Sequence, residues 1–162
     1  MADTARGAVS ITPVVTVAAD SDSDAVDVIH HQINQTLGGK LEYAKADDND
    51  KWFYTTSKDV SSDADLLSGN YTDAGTMATT DHVKFLFVKH SGTSDGTTAN
   101  SADLFINIRG QNAATVADVI ELGSEEAIIL KFKNGLDVND IHAMSDNGST
   151  IRCTIVAICD DV

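Results

Sequence analysis

The chain has 162 residues, 25 acidic against 11 basic, for a formal net charge of −14. A surface of that sign repels phosphate backbones, whose binding relies on neutralisation by Lys and Arg, and it repels anionic membrane surfaces. Length and a hydrophobic content of 42% suit one domain with a proper core, so a single domain over residues 1–162 is expected, with neither nucleic acid nor membrane as partner.

Taken in order, residues 1–8 read as a loose arm without the apolar stretch of a secretory signal, which points to a chain made and kept in the cytosol or carried out inside an assembled particle. Val9 to Ala18 is β-branched and strand-like, bent or placed at an edge by Pro13. The acidic turn Asp20 to Asp24 follows, then an ambiguous strand from Val26 to Thr36, broken at Gly38-Gly39. Leu41 to Ala46 and Trp52 to Thr56 are short strands around the turn Asp47 to Asp50. Residues 57–81 are polar and read as a long loop with one helical turn near Ser62 to Ser68, anchored by Leu66, Leu67 and Tyr71. Loops of that length are usually functional or interfacial.

From Asp81 onward the rhythm is regular. Strands are expected at 82–90, 102–109, 116–122, 127–133, 140–144 and 150–158, separated by the turn residues Gly110, Gly123, Asn134-Gly135 and Asn147-Gly148. Strict alternation along His82 to His90 sets Val83, Phe85 and Phe87 against Lys84, Leu86 and Val88. Both faces of this strand and of 150–158 then carry apolar residues. Leu86 and Val88 must be covered by a second sheet layer or by a neighbouring subunit. The expected class is all-β: an antiparallel β-sandwich, jelly-roll-like, with about 8 to 10 short strands and little helix.

The chemistry-bearing residue types do not form motifs. Asp20 to Asp24 resembles the start of a calcium loop, but Ala25 and His31 stand where such a loop needs Gly and Glu, so a solvated acidic turn is expected. His30 and His31 are adjacent and point to opposite faces of a strand. Cys153 and Cys159 are about 20 Å apart along one strand, beyond disulfide reach, and read as buried thiols. No nucleophile elbow surrounds any serine, and Ser91 to Gly96 lacks the Gly-Lys-Ser/Thr ending of a phosphate-binding loop, so it reads as a flexible hairpin loop. Trp52 to Tyr54 belongs in the core or, alternatively, stacks on a sugar ring. A non-enzyme is expected, with no catalytic residues, no metal and no cofactor.

Five segments carry a family resemblance: Val83-Lys-Phe-Leu-Phe-Val-Lys-His-Ser-Gly92, Asp103-Leu-Phe-Ile-Asn-Ile108, Glu126-Ala-Ile-Ile-Leu130, Asp140-Ile-His-Ala-Met-Ser145 and the closing strand Ile151 to Ile158. Together they cover about half the chain and resemble the jelly-roll-like virion proteins of tailed bacteriophages, especially the small capsid decoration or cement proteins. The resemblance implies a protein on the capsid exterior that binds the major capsid protein and itself, as a dimer or trimer, and stabilises the shell. Residues expected at partner interfaces are Val9, Ile11 and Pro13 of the arm 1–18, Leu66, Leu67 and Tyr71 of the loop 57–81, and Leu86 and Val88. A tail, neck or baseplate component and a carbohydrate-binding β-sandwich module are the alternatives.

Overall fold

The computed structural model describes residues 4–9, 39–44, 50–72, 75–108 and 119–161, the first two spans as backbone alone. The expected acidic turn at Asp20, the strand Val26 to Thr36, the His30-His31 pair, Ile11 and Pro13 lie outside the described residues. The chain divides into two compact units, Met1–Ala5 with Tyr43–Val162, and Arg6–Glu42. Strands β1 (Thr4–Val9) and β2 (Gly39–Ala44) form a two-stranded sheet, so residues 4–8 are extended where the sequence suggested a loose arm.

Among the described residues the larger unit holds eight further strands: β3 (Asp50–Val60), β4 (Ala64–Asp65), β5 (His82–His90), β6 (Leu104–Asn107), β7 (Ile120–Leu122), β8 (Ala127–Asp137), β9 (His142–Ser145) and β10 (Ile151–Asp160). A 3-10 turn, Val138–Asp140, links β8 to β9. The strands form two four-stranded sheets, ordered β3-β10-β5-β8 and β4-β9-β6-β7, with every pairing antiparallel. Their logic is a nested ribbon: β3 pairs with β10, β4 with β9, β5 with β8 and β6 with β7. Rolling that ribbon brings β10 against β5 and β9 against β6, which is the jelly-roll topology. The all-β sandwich expected from the alternation is therefore the fold.

The core lies between the two sheets. Ile151, Cys153, Ile155, Ala157 and Cys159 of β10 enter it from one side; Leu104 and Ile106 of β6 and Ala143 of β9 enter from the other. In β5 the alternation is broken. The register against β10 jumps between Cys159↔Val83 and Ile158↔Phe85, so Lys84 is an extra residue, a β-bulge. Val83, Leu86 and Val88 therefore all join the core, and Phe85 and Phe87 turn outward. Strict alternation had grouped Val83 with Phe85 and Phe87, and the bulge moves it to the side of Leu86 and Val88. The second sheet, not another subunit, covers Leu86 and Val88.

The stretch 57–81 also departs from expectation. β3 runs on to Val60, and β4 occupies the place of the expected helical turn. Leu66 and Leu67 are fully buried; Leu66 N–H donates to the Ile141 carbonyl at 2.9 Å. Tyr71 and Met77 pin the rest into the core. The Tyr71 hydroxyl donates to Asp81 Oδ2 at 2.5 Å, and the Ala78 N–H donates to the same oxygen at 2.8 Å. Burial first, and then this bond to Asp81, hold the Tyr71 hydroxyl far above its ordinary range.

The loop after β5 is equally built. Arg152 N–H donates to the Thr93 carbonyl and Ser91 N–H to the Arg152 carbonyl, each at 2.9 Å. The Asp95 carboxylate accepts from the amides and hydroxyls of Thr97 and Thr98, which pull it far below the usual carboxylate range. Arg152 grips Asp59 through Nε at 3.0 Å and Nη2 at 3.2 Å, and its Nη1 donates to the Asp95 carbonyl. The hairpin expected to be flexible is thus tied to β3 and β10.

Gly135 in β8 has φ of 78°, and a Cβ there would lie 2.6 Å from His82 Cβ on the neighbouring strand. Left-handed strain and overlap add, so Gly135→Ala is expected to lose about 1–3 kcal/mol of stability. Chemical denaturation of wild type and variant checks this; an unchanged midpoint would show that β8 yields at no cost.

Candidate functional site

The bulge in β5 leaves one sheet with an unusual outer surface, here called the front face. Register places Tyr54, Val156, Phe87 and Ile129 side by side across β3, β10, β5 and β8. The neighbouring row is Trp52, Ile158, Phe85 and Lys131. Ile158 and Phe85 are 0% and 3% exposed, although they point away from the core between the sheets. Tyr54 is 57% exposed, and Val156, Phe87 and Ile129 are half-buried. With Ile158 and Phe85 buried in the single chain, the accessible part of this face is Tyr54 with the half-buried Val156, Phe87 and Ile129. Trp52, which sequence reasoning placed in the core or on a sugar ring, is half-buried in this layer.

Charge is segregated in the same direction. All seven lysines and arginines with described side chains stand on strands of this sheet: Lys51 and Lys58 on β3, Lys84 and Lys89 on β5, Lys131 and Lys133 on β8, and Arg152 on β10. The same strands hold four carboxylates, Asp50, Asp59, Asp137 and Asp160. Of the seven cations, Lys51 and Lys58 stand opposite the inward Cys159 and Cys153 and add nothing to the outer surface. Lys84 pairs with Asp160 at 3.2 Å and His82 with Asp137 at 3.1 Å, while Lys89 and Lys131 are exposed beside the apolar rows.

The outer side of the second sheet, the back face, is the reverse. Phe105 of β6 lies between Met144 of β9 and Glu121 of β7, and Asp65 of β4 lies opposite His142. None of its strands contains Lys or Arg. His142 is held among acceptors: Nδ1 is 3.3 Å from Asp63 Oδ2, and Nε2 is 3.2 Å from Asp65 Oδ1 and 3.1 Å from the Asn139 carbonyl oxygen. It locks β4 to β9.

The remaining reactive side chains have structural places. His90 is fully buried; Gly92 N–H donates to its Nδ1 at 2.9 Å and its Nε2 lies 2.9 Å from the Ala102 carbonyl oxygen. A carbonyl only accepts, so the proton is on Nε2 and both ring nitrogens are used. Lys58 points inward opposite Cys153, and burial lowers its pKa against the opposing pull of Asp65. Among the described residues, no group of three or more His, Cys, Asp or Glu side chains could hold a metal ion, and no helix is long and apolar enough to cross a membrane.

Of the residues expected at partner interfaces, Leu66, Leu67, Leu86 and Val88 are fully buried and Tyr71 is 5% exposed. They hold the chain's own core together, which removes the physical reason for placing them in an interface. Val9 is in β1, where the backbone alone is described. On β5 the residues that face outward are Phe85 and Phe87, which alternate with Leu86 and Val88. Their sequence signal was the apolar character of both faces of β5 and β10; the unseen bulge hid that Val83 sides with Leu86 and Val88.

Comparison with known protein families, curated proteins and solved structures finds no match.

Both thiols are shielded. Burial pushes Cys153 up to about 12, helped by Asp59 and opposed by Lys58. Burial pushes Cys159 up to about 12 as well, with the Tyr71 hydroxyl opposing and Asp81 and Asp50 adding to the rise. The thiolate is the reactive form, so neither cysteine is expected to react with a disulfide reagent at pH 8 in the folded protein, and both in denaturant. Stoichiometric labelling of the native state would contradict this placement.

Proposed function

We propose that the protein is a structural component of a virion, a capsid decoration or cement protein that binds the shell of the major capsid protein from outside and strengthens it through oligomeric contacts. The observation that carries this reading is the band Tyr54, Val156, Phe87 and Ile129 on the front face. Water is a poor neighbour for four such side chains in register, and a protein surface is a good one. The jelly roll is a common architecture of capsid proteins, which raises the prior without assigning the function. On a repeating shell, modest individual contacts sum to high occupancy.

The test is co-sedimentation with expanded shells of a tailed bacteriophage, comparing wild type with Tyr54→Glu. Tyr54 is largely exposed, so the variant should keep its fold. Loss of an anchoring aromatic should weaken occupancy at least about tenfold. Equal sedimentation of variant and wild type would remove the front face from the contact, and absence of binding by wild type would overturn the reading.

A second reading is favoured by one feature. Trp52 and Tyr54 stand two residues apart on one side of β3, the spacing of a sugar-stacking platform on a β-sandwich. Glycan-array binding by wild type, lost in Trp52→Ala, would replace the virion reading with a carbohydrate-binding module.

A further inference from the structure

We infer that Asn147 is a site of self-modification: the turn between β9 and β10 promotes closure of its carboxamide onto the Gly148 nitrogen, and water then converts it to aspartate and isoaspartate. The inference concerns the chemistry of that turn and stands apart from the virion reading.

The reaction sets clear demands on the turn. The Gly148 N–H gives up its proton, and the nitrogen attacks the carboxamide carbon of Asn147. Negative charge builds on Oδ1 as the new C–N bond forms. The Cγ–Nδ2 bond then breaks, and ammonia leaves with a proton. Water opens the five-membered imide at either carbonyl. A water is consumed and an ammonia released, with no change of oxidation state.

The turn meets these demands. Oδ1 of Asn147 accepts from the Ser149 N–H at 2.9 Å and from the Ser145 hydroxyl at 3.2 Å. An N–H only donates, so the oxygen and not the amide nitrogen occupies this place. Both donors therefore point at the atom on which charge develops, as in an oxyanion hole. Ser145 is fully buried, which holds its hydroxyl in position. The nucleophile is free: among the described residues no hydrogen bond uses the Gly148 N–H. Gly148 is exposed with φ of 78°, and a Cβ there would meet nothing within 4 Å, which leaves room for ring closure and for water.

Related pairs elsewhere lack these conditions. In Asn134-Gly135, among the described residues no donor meets the Asn134 carboxamide. Gly135 is also packed within β8, where a Cβ would lie 2.6 Å from His82 Cβ. Asp95-Gly96 could form the same imide, but its Gly96 N–H donates to Thr93 Oγ1 at 3.1 Å. The Asp95 carboxylate, kept ionised by donors from Thr97 and Thr98, is a poor electrophile. At Asn147 the product adds a carboxylate beside Asp146, which already accepts the Asp103 N–H at 3.2 Å. Isoaspartate also lengthens the turn by a main-chain methylene.

The test holds folded protein, and protein in guanidinium chloride, at mildly alkaline pH. Peptide mapping by mass spectrometry follows Asn147 and Asn134, with aspartate and isoaspartate products separated. In the folded protein Asn147 should convert at least about tenfold faster than Asn134. In denaturant the ratio should collapse towards unity, because only the fold supplies the donors. Ser145→Ala removes one donor; it should slow Asn147 about fivefold in the folded protein and leave the rate in denaturant unchanged. Circular dichroism monitors the fold, and if Ser145→Ala does not fold, the wild-type comparison decides alone. Asn134 keeping pace with Asn147 in the folded protein, a ratio undiminished in denaturant, or a folded Ser145→Ala with the wild-type rate would each overturn the inference.

Discussion

Which face of β5 looks into the sandwich decides the character of the whole outer surface, and one residue decides the face. Without the bulge at Lys84, Val83 would share a face with Phe85 and Phe87, opposite Leu86 and Val88. With it, Val83, Leu86, Val88 and the neutral His90 enter the core together. The two phenylalanines then meet Ile158 and Val156 of β10 on the outside. A bulge costs a locally disrupted ladder and adds twist. Here it separates a sealed core from an outer surface on which Tyr54 is exposed and Val156, Phe87 and Ile129 are half-buried.

β10 is the other half of that arrangement. It lies between β3 and β5, and its inward residues are all fully buried. Its outward residues form a gradient, from Arg152 clamped to Asp59, through Val156 and Ile158, to Asp160 paired with Lys84. The polar ends fix the strand in register, and the apolar middle is where contact is favourable. Buried polar groups do comparable work elsewhere. Asp81 ties the 61–81 excursion to Tyr71 and Ala78, and His90 ties β5 to the chain entering β6. Each is satisfied, so these groups specify loop paths that the apolar contacts alone would leave open.

Much of this was legible in the residues. β5, β6, β8, β9 and β10 follow from period-two alternation punctuated by turn residues, and the jelly-roll class follows from their spacing. What was hidden has specific causes. A bulge leaves no mark in a pattern whose both phases are apolar, so counting by twos in 82–90 put Val83 with Phe85 and Phe87. β4 is two residues long inside a Ser- and Asp-rich stretch, and it exists because Leu66 and His142 fasten it to β9 and its flanks. Propensity has no information about such long-range fastening. The Ser91 to Ser101 loop read as flexible because its composition is small and polar, yet those hydroxyls and amides are the groups that bond it to β10 and to Asp95. The candidate surface was half-seen: the double apolar character was evident, but the identity of the outward side chains required the register.

The segregation of charge bears on why an acidic chain would carry an aromatic outer face at all. An exposed apolar band on a neutral protein invites indiscriminate association, because the hydrophobic term has no direction. Here the band is flanked by cations on one side of a sandwich whose other side and loops are acidic. An acidic surface with its own apolar centre is the complement that these cations favour, and charge beside a contact is felt over about 8 Å at physiological salt. Electrostatics thus supplies the selection that burial cannot: it leaves the free energy of contact in the aromatic band and decides which surface is allowed to reach it.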